Sequence, residues 1–328
     1  HQHHENPASV MSASKLRMVA DVGGTNTRIA VYDEAAGTFD AVENFVNRDF
    51  SRLQDLVLAW KDSLDRPPER GCIAIAAPLA GDRVDMINMD WRFSRSAFAE
   101  ETGLSPVTWI NDFVANAWSL PFLEECDRQA LHPGKPGGLR QFAAIGPGTG
   151  LGGATVQSAA EGWIATACEP GHVGLSPANT IELAVFEALL AEHEDIYAEL
   201  LVSGPGLQRL YRTLAAVTNR DPSELSPADI SGRALAGEDP LCVESLELFC
   251  ALLGSACGDF LLSTGAYGGL YLAGGIVPRM IPFLAASSFH QRLCSKGAMS
   301  PVLQQVPVYA ITAAQPGLIG AAHAPLTD

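Results

Sequence analysis

The chain has 328 residues, 47% hydrophobic and 18% charged, and 21 Lys and Arg against 37 Asp and Glu leave a net charge of −16. That length can bury a large core and predicts two domains or lobes, with the composition of an ordinary globular protein. The acidic balance argues against nucleic acid or an anionic membrane as partner, and no uninterrupted apolar stretch reaches the roughly 18 residues of a spanning helix.

The opening His1-Gln2-His3-His4-Glu5-Asn6 reads as a purification tag within a leader over 1–13, with Met11 as a native start and no signal-peptide pattern. The seven cysteines are scattered, odd in number and lack a C-x-x-C pair. That predicts free thiols in a reducing cytoplasm.

The first structured stretch is Met18-Val19-Ala20, followed by Asp21-Val22-Gly23-Gly24-Thr25-Asn26-Thr27-Arg28 and then Ile29-Ala30-Val31-Tyr32. Two β-type runs around Gly-Gly predict a hairpin. Successive N–H groups in such a turn can cradle phosphate. An Asp at the end of a buried strand needs a cation or donors to meet. An ordinary tight hairpin accounts for the glycines but not for the polar residues packed around them.

A third strand is expected over Thr38–Val46, and Phe50, Leu53, Leu56, Val57, Trp60 and Leu64 fall at helical spacing before Pro67-Pro68. Strands follow at Gly71–Ala77 and Val84–Met89, and Ser94 can cap a short helix. Val107–Ile110 is strand-like and delivers Asn111-Asp112 at its carboxyl end, with a helix through Phe113, Ala117 and Leu120. Residues 121–140, rich in Pro, Gly and charge, are placed as the connection between lobes. The pattern then repeats: Phe142–Ile145 leads through Gly146-Pro147-Gly148-Thr149-Gly150-Leu151-Gly152-Gly153 into Ala154-Thr155-Val156. Two such hairpins suggest two related lobes facing each other. Helices are expected at 180–193, 205–217, 226–235 and 241–264, the last with a core-facing stripe of Leu246, Phe249, Leu252, Leu253 and Phe260. A strand at Gly269–Ala273 ends in Gly274-Gly275. Val308–Thr312 is the final strand, and Pro316-Gly317 opens a closing helix. Alternating strands and helices define an α/β protein whose ligands gather at the carboxyl ends of strands.

Gly148–Gly153 formally matches G-x-G-x-x-G, but a β-type run follows where a dinucleotide fold requires a helix. No P-loop motif occurs. Two Gly-rich turns suited to clamp a polyphosphate remain. Asn111-Asp112 offers a carboxylate base with a donor beside it; the alternative is that Asp112 caps the helix that follows. Glu169-Pro170-Gly171-His172 and Glu199, ahead of Ser203-Gly204-Pro205-Gly206, offer the acceptors and donors that hold a polyol. The alternatives are a structural histidine at 172 and a solvated helix residue at 199. Cys168 with His172 lacks further ligands at zinc spacing.

Taken together, Asp21–Asn26, Asn111-Asp112-Phe113, Gly148-Thr149-Gly150-Leu151-Gly152, Glu169 with Gly171-His172, Ser203–Gly206 and Ala273-Gly274-Gly275-Ile276-Val277-Pro278-Arg279 stand in one order. As a set they resemble the bacterial ATP-dependent glucokinases of the proteobacterial type, from about Met18 to about Gly320. The resemblance implies a two-lobed, actin-like (ribonuclease H-like) α/β sugar-kinase fold, with a cleft between a small α/β lobe and a larger α+β lobe. The small lobe would take 14–121 plus 312–328, including the last strand and helix, and the large lobe 122–311. It implies glucose and ATP as substrates, Mg2+ as cofactor, and a cytoplasmic homodimer with neither nucleic acid nor membrane as partner. Asp112 would be the general base at the sugar 6-hydroxyl, and Asn111, Glu169, His172 and Glu199 would hold the other hydroxyls, with Asn88 as a helper. Gly23, Gly24, Thr25, Asn26, Arg28, Gly148, Thr149 and Gly150 would serve the phosphates, and Gly274 and Gly275 would lie by the adenosine. Asp21 would orient Mg2+, directly or through water.

Two departures from the family pattern stand out: Pro170 occupies a position where glycine is expected, which stiffens the turn before His172, and Gln315-Pro316-Gly317 with Ala321-Ala322 replaces a more polar closing turn. The zinc cluster of the related repressor-and-kinase family is absent from the sequence. Competing readings are a kinase for another hexose, a glucose-binding sensor without turnover, and an ATPase of the chaperone or filament kind.

Overall fold

The computed structural model describes residues 15–87 and 89–327; the leader over 1–13 and Asn88 lie outside the described residues. The chain forms two compact units, one holding the chain up to Phe122 and again from Gln315, the other Leu123–Ala314.

The first unit is built on a five-stranded sheet. Its chain runs through β1 (Leu16–Val22), β2 (Asn26–Asp33), β3 (Thr38–Val46), helix α1 (Leu53–Asp62) and β4 (Gly71–Ile75). A small hairpin of β5 (Arg83–Asp85) and β6 (Arg92–Ser94), helix α2 (Arg95–Thr102), β7 (Val107–Asn111) and helix α3 (Asp112–Ser119) follow. The strand order is β3-β2-β1-β4-β7, with β1, β4 and β7 parallel and β2 and β3 antiparallel. Every residue of β4 is buried, as a parallel strand covered on both faces requires. Helix α1 buries Leu53, Leu56, Val57 and Trp60, the three- and four-residue spacing of one helical face. The strand expected over Val84–Met89 is only the three residues of β5. Met86 N–H donates to Trp91 O at 3.1 Å, so the chain turns back and pairs locally with β6 instead of extending.

The second unit contains a six-stranded sheet in the order β11-β10-β9-β12-β13-β8. Its strands are β8 (Arg128–His132), β9 (Gln141–Pro147), β10 (Leu151–Ser158), β11 (Trp163–Cys168), β12 (Gly269–Leu272) and β13 (Val308–Ile311). The helices are α4 (Thr180–Leu190), α5 (Ala198–Leu201), α6 (Gly204–Val217), α7 (Pro227–Ala236), α8 (Pro240–Thr264), α9 (Ile281–Ala286), α10 (Phe289–Cys294) and α11 (Ser300–Gln304). Part of the expected 121–140 connection is therefore a strand: β8 pairs antiparallel with β13. The final strand belongs to this sheet and not, as expected, with the N-terminal part; its partners are β12 and β8.

Omitting β8, the two sheets share one order: an antiparallel hairpin and third strand on one side of the first strand, two parallel strands on the other. The two Gly-rich turns join equivalent strand pairs, β1–β2 and β9–β10. Helix α8 is buried all round, not only along the expected stripe. It has the length and apolarity of a membrane span, yet 78% of that stretch lies inside the protein, which makes it the core helix of its unit.

The chain then returns to the first unit as α12 (Pro316–His323), which packs on α3, β1 and β4. Arg17 Nη1 anchors it by donating to Ala321 O at 3.0 Å and Ala324 O at 2.6 Å. The approach to α3 leaves no room for a side chain at Gly320, where a Cβ would run into the Ala115 carbonyl.

Candidate active site

In the first unit, Val22, Ile75 and Asn111 stand side by side at the carboxyl ends of three neighbouring parallel strands. This is where an α/β sheet presents ligand-binding groups. Asn111 is the N-cap of α3: its Oδ1 accepts the Val114 N–H at 2.7 Å. Asp112 is therefore not the cap. It occupies the first helical position, exposed, with its Oδ1 accepting the Phe113 N–H at 3.1 Å. Although the residue is open to solvent, the protein around its carboxyl partly desolvates it and raises it above the ordinary value, against the pull of the Phe113 and Asp112 backbone N–H groups. Asp21, one residue before the end of β1, is pushed up to about 6 by burial first and then by the negative charge of Asp112, with Arg28 opposing. Arg28 is the cross-strand partner of Asp21 in the β1–β2 register. The first turn of α12 closes over Asp21 so tightly that a Cβ on Gly317 would lie 2.6 Å from its Oδ2.

The turn that carries Gly23, Gly24, Thr25 and Asn26 closes by the Gly23 N–H donating to Asn26 O at 2.9 Å. A residue not anticipated from sequence, Asn47, holds this turn from behind. Its only sequence signal is a polar residue directly after β3.

In the second unit, the turn Gly148-Thr149-Gly150 closes by Gly148 N–H to Gly150 O at 2.8 Å. Glu199, on the first turn of α5, reaches it: the Leu151 N–H donates to Glu199 Oε1 at 2.8 Å, and a Cβ on Gly150 would strike that carboxylate. Glu199 is thus engaged and not simply solvated. His172 Nε2 lies 3.8 Å from Glu199 Oε2, with the imidazole 60% exposed and stacked on Tyr197 at 5.3 Å and 11°. Tyr197 is a second residue that sequence reasoning missed.

Ser203 caps α6 by accepting from Gly206 N–H at 3.0 Å and donates to Glu199 O at 2.8 Å. Gly204 N–H donates to Gly148 O at 2.7 Å, so the Ser203–Gly206 segment and the Gly148 turn are one assembly. Glu169 precedes the short helical turn Pro170–His172. Pro170 is buried against β10, where a Cβ on Gly153 would sit 2.5 Å from its Cγ. Ala273 N–H donates to Ile145 O at 2.9 Å, and Gly274, at φ +88°, lies too close to the Pro147 carbonyl for any side chain. The Gly148 turn and Gly274-Gly275 are therefore neighbours at the carboxyl ends of β9 and β12. Asn88 lies outside the described residues.

Chemically, the first unit offers two carboxylates of like charge beside a polar Gly-rich turn. The second offers a Gly-rich turn backed by Glu199, with an exposed imidazole and a further carboxylate alongside. Oxygen donors at one or two carboxylates, with the rest of the coordination left to phosphate and water, suit Mg2+.

Solved sugar kinases share this architecture, which is the actin-like sugar-kinase fold. A glucokinase from an Antarctic psychrotroph superimposes with a TM-score of 0.87 at 35% identity over 94% of this chain and 98% of that one. A glucokinase of the ROK family from Streptomyces griseus, solved in complex with glucose and AMPPNP, superimposes with a TM-score of 0.60 at 22% identity, covering 94% and 98%. In sequence, the glucokinase of Saccharophagus degradans is 39% identical over 309 residues, 93% of this chain and 96% of the relative. The family model described as Glucokinase matches residues 18–327. The chain belongs to the glucokinase family.

Proposed function

We propose that the chain transfers the γ-phosphoryl group of ATP to the 6-hydroxyl of glucose, giving glucose 6-phosphate and ADP, with Asp112 as the general base. Membership of the glucokinase family supports the reaction, and the glucose and AMPPNP of the Streptomyces griseus enzyme support both substrates. The observation that carries the base is the position of Asp112: it starts α3 at a strand end, is not spent as the helix cap, and has its proton affinity raised by partial desolvation. A carboxyl whose proton affinity is raised accepts a hydroxyl proton more readily.

Phosphoryl transfer asks mainly for positioning and charge neutralisation. Asp112 takes the O6 proton as O6 bonds to the γ-phosphorus and the bond to the ADP oxygen breaks. Asn111, whose Oδ1 is committed to Val114, keeps its amide N–H groups for a sugar hydroxyl. Glu169, His172 and Glu199 take other hydroxyls, with Asn88 as a helper, and Glu199 also fixes the Gly148 turn through Leu151 N–H. Backbone N–H groups of Gly24, Thr25, Asn26, Thr149 and Gly150 serve the phosphates, on turns that the Gly23 and Gly148 N–H groups close; Arg28 balances charge beside Asp21, and Gly274-Gly275 flank the adenosine. Mg2+, held by Asp21 directly or through water, would neutralise phosphate charge. The seven free thiols suit a cytoplasmic enzyme, and a homodimer is part of the reading, to be checked by light scattering.

The test is a coupled assay for glucose 6-phosphate with ATP and magnesium, run beside fructose, mannose and N-acetylglucosamine. Asp112→Asn keeps the shape and removes the acceptor. Turnover should fall at least about a hundredfold while glucose binding survives, and wild-type kcat/KM should decline on acidification through a value above that of an ordinary carboxylate. Equal turnover by the variant would remove Asp112 from the role. Preferred turnover of another sugar would reassign the substrate, and glucose binding without turnover would make the protein a sensor.

A further inference from the structure

Asn47 is 1% exposed and lies directly after β3, at the start of the short helical turn Asn47–Asp49. A polar side chain so deeply buried has to spend its hydrogen bonds, because each unmade one costs the full desolvation of the group. Asn47 spends them on one object. Its Nδ2 donates to Gly23 O at 2.8 Å, its backbone N–H donates to Thr25 O at 2.9 Å, and its Oδ1 accepts from Thr27 Oγ1 at 2.7 Å. Residues 23, 25 and 27 are alternate positions across the β1–β2 turn, so one residue just past the third strand grips the turn at its start, middle and end. Nδ2 also lies 3.4 Å from Met89 Sδ, linking the grip to the turn that joins β5 and β6.

Glycine at 23 and 24 makes the turn cheap to deform, since glycine restricts the backbone least. A turn that must present several N–H groups to phosphate has to be held in shape before the ligand arrives. The β1–β2 ladder fixes the ends of the turn, at Val22 and Thr27. Between them, Asn26 pairs with Val46 of β3, and Gly23 and Thr25 are fastened to the rest of the unit by Asn47. A recess of about 640 Å³ opens beside the tip, lined by Gly24, Thr25, Asn26, Arg48 and Trp91 among others. Asn47 lines this recess too, so the tip is fastened by Asn47 and opens on the recess beside it.

We propose that Asn47 is a positioning residue for nucleotide use: it pre-forms the Gly23–Asn26 turn without touching substrate. This rests on the reading of that turn as phosphate-binding. Loss of the grip leaves a folded unit whose turn samples several shapes, so nucleotide affinity and turnover suffer while sugar binding does not.

The experiment is steady-state kinetics with both substrates varied, on wild type, Asn47→Ala, Thr27→Val and the double variant, with thermal unfolding in the presence and absence of ADP. Asn47→Ala should raise the KM for ATP about tenfold or more, lower kcat, and leave the KM for glucose within about twofold. Its stabilisation by ADP should shrink. Thr27→Val should act in the same direction more weakly, and the double variant should be no worse than Asn47→Ala alone, because both remove one arrangement. A purely structural role would lower the melting temperature and leave the two KM values in their original ratio, which would overturn the proposal. If Asn47→Ala does not fold, Thr27→Val decides: an unchanged KM for ATP and unchanged ADP stabilisation overturn it. Failure of wild type to phosphorylate glucose, or equal ADP stabilisation in Gly24→Val and wild type, would instead count against the phosphate reading of the turn.

Discussion

A carboxylate at the end of a buried strand, with a second carboxylate nearby, resists ionisation, and Asp21 titrates near 6 for that reason. Its folded-state value lies above the unfolded 3.8, so the native state holds the extra proton across that window. Stability contributed by the protonated group is present below the unfolded value and is lost as pH rises through about 6. At pH 7 the charged form costs on the order of 2–3 kcal/mol. Asp21→Asn should therefore raise the melting temperature at neutral pH and abolish most kinase activity, and the stability gain should shrink as pH falls below 6. A lower melting temperature at pH 7 would mean that Asp21 is better satisfied than its surroundings imply. This residue was legible in the sequence because an Asp after Met18-Val19-Ala20 is costly on its face. Asn47 was not legible: an Asn after a strand has many ordinary uses, and its burial arises only from tertiary packing.

At the level of elements, Pro170 and Gly153 act as a pair. The sequence shows a proline where the family pattern leads one to expect glycine, and alone that suggests a displaced His172. The structure shows how it is accommodated: the ring sits against Gly153 of β10, where a side chain would collide with it. Gly153→Ala should push the turn that carries Glu169 and His172, raising the KM for glucose several-fold with the KM for ATP unmoved. Adding Pro170→Gly should restore it. A raised KM for both substrates, or no rescue, would show that the pair does not set this turn. The hairpins β1–β2 and β9–β10 were readable because apolar runs flank glycines. The edge strands β8 and β11 were not: none of their residues is buried, and each is held in the sheet by pairing with a single neighbour. The run expected to end at Met89 failed for a related reason: local pairing of β5 with β6 stopped it after three residues.

At the scale of the whole molecule, the repeated Gly turn announced the repeated sheet, but not which unit would own the last strand, because strand order is set by pairing partners and not by position in the chain. The second unit is pinned across its helices by a buried pair: Arg292 grips Glu182 in bidentate fashion at 2.6 and 2.8 Å, with the Glu182 side chain 1% exposed. Arg292→Met leaves that charge buried without its partner and should cost about 3–5 kcal/mol in chemical denaturation; a loss under about 1 kcal/mol would mean water or relaxation replaces the arginine. The first unit, by contrast, is completed by a segment that follows the second unit in the chain. Helix α12 supplies the wall against Asp21, the seat for α3 at Gly320 and the carbonyls that hold Arg17, and the ribosome reaches it only after the whole second unit has been synthesised. A growing chain can therefore complete the second core while the first still lacks a side, so an early stop or a cleavage before Gln315 would leave one finished fold attached to an unfinished one.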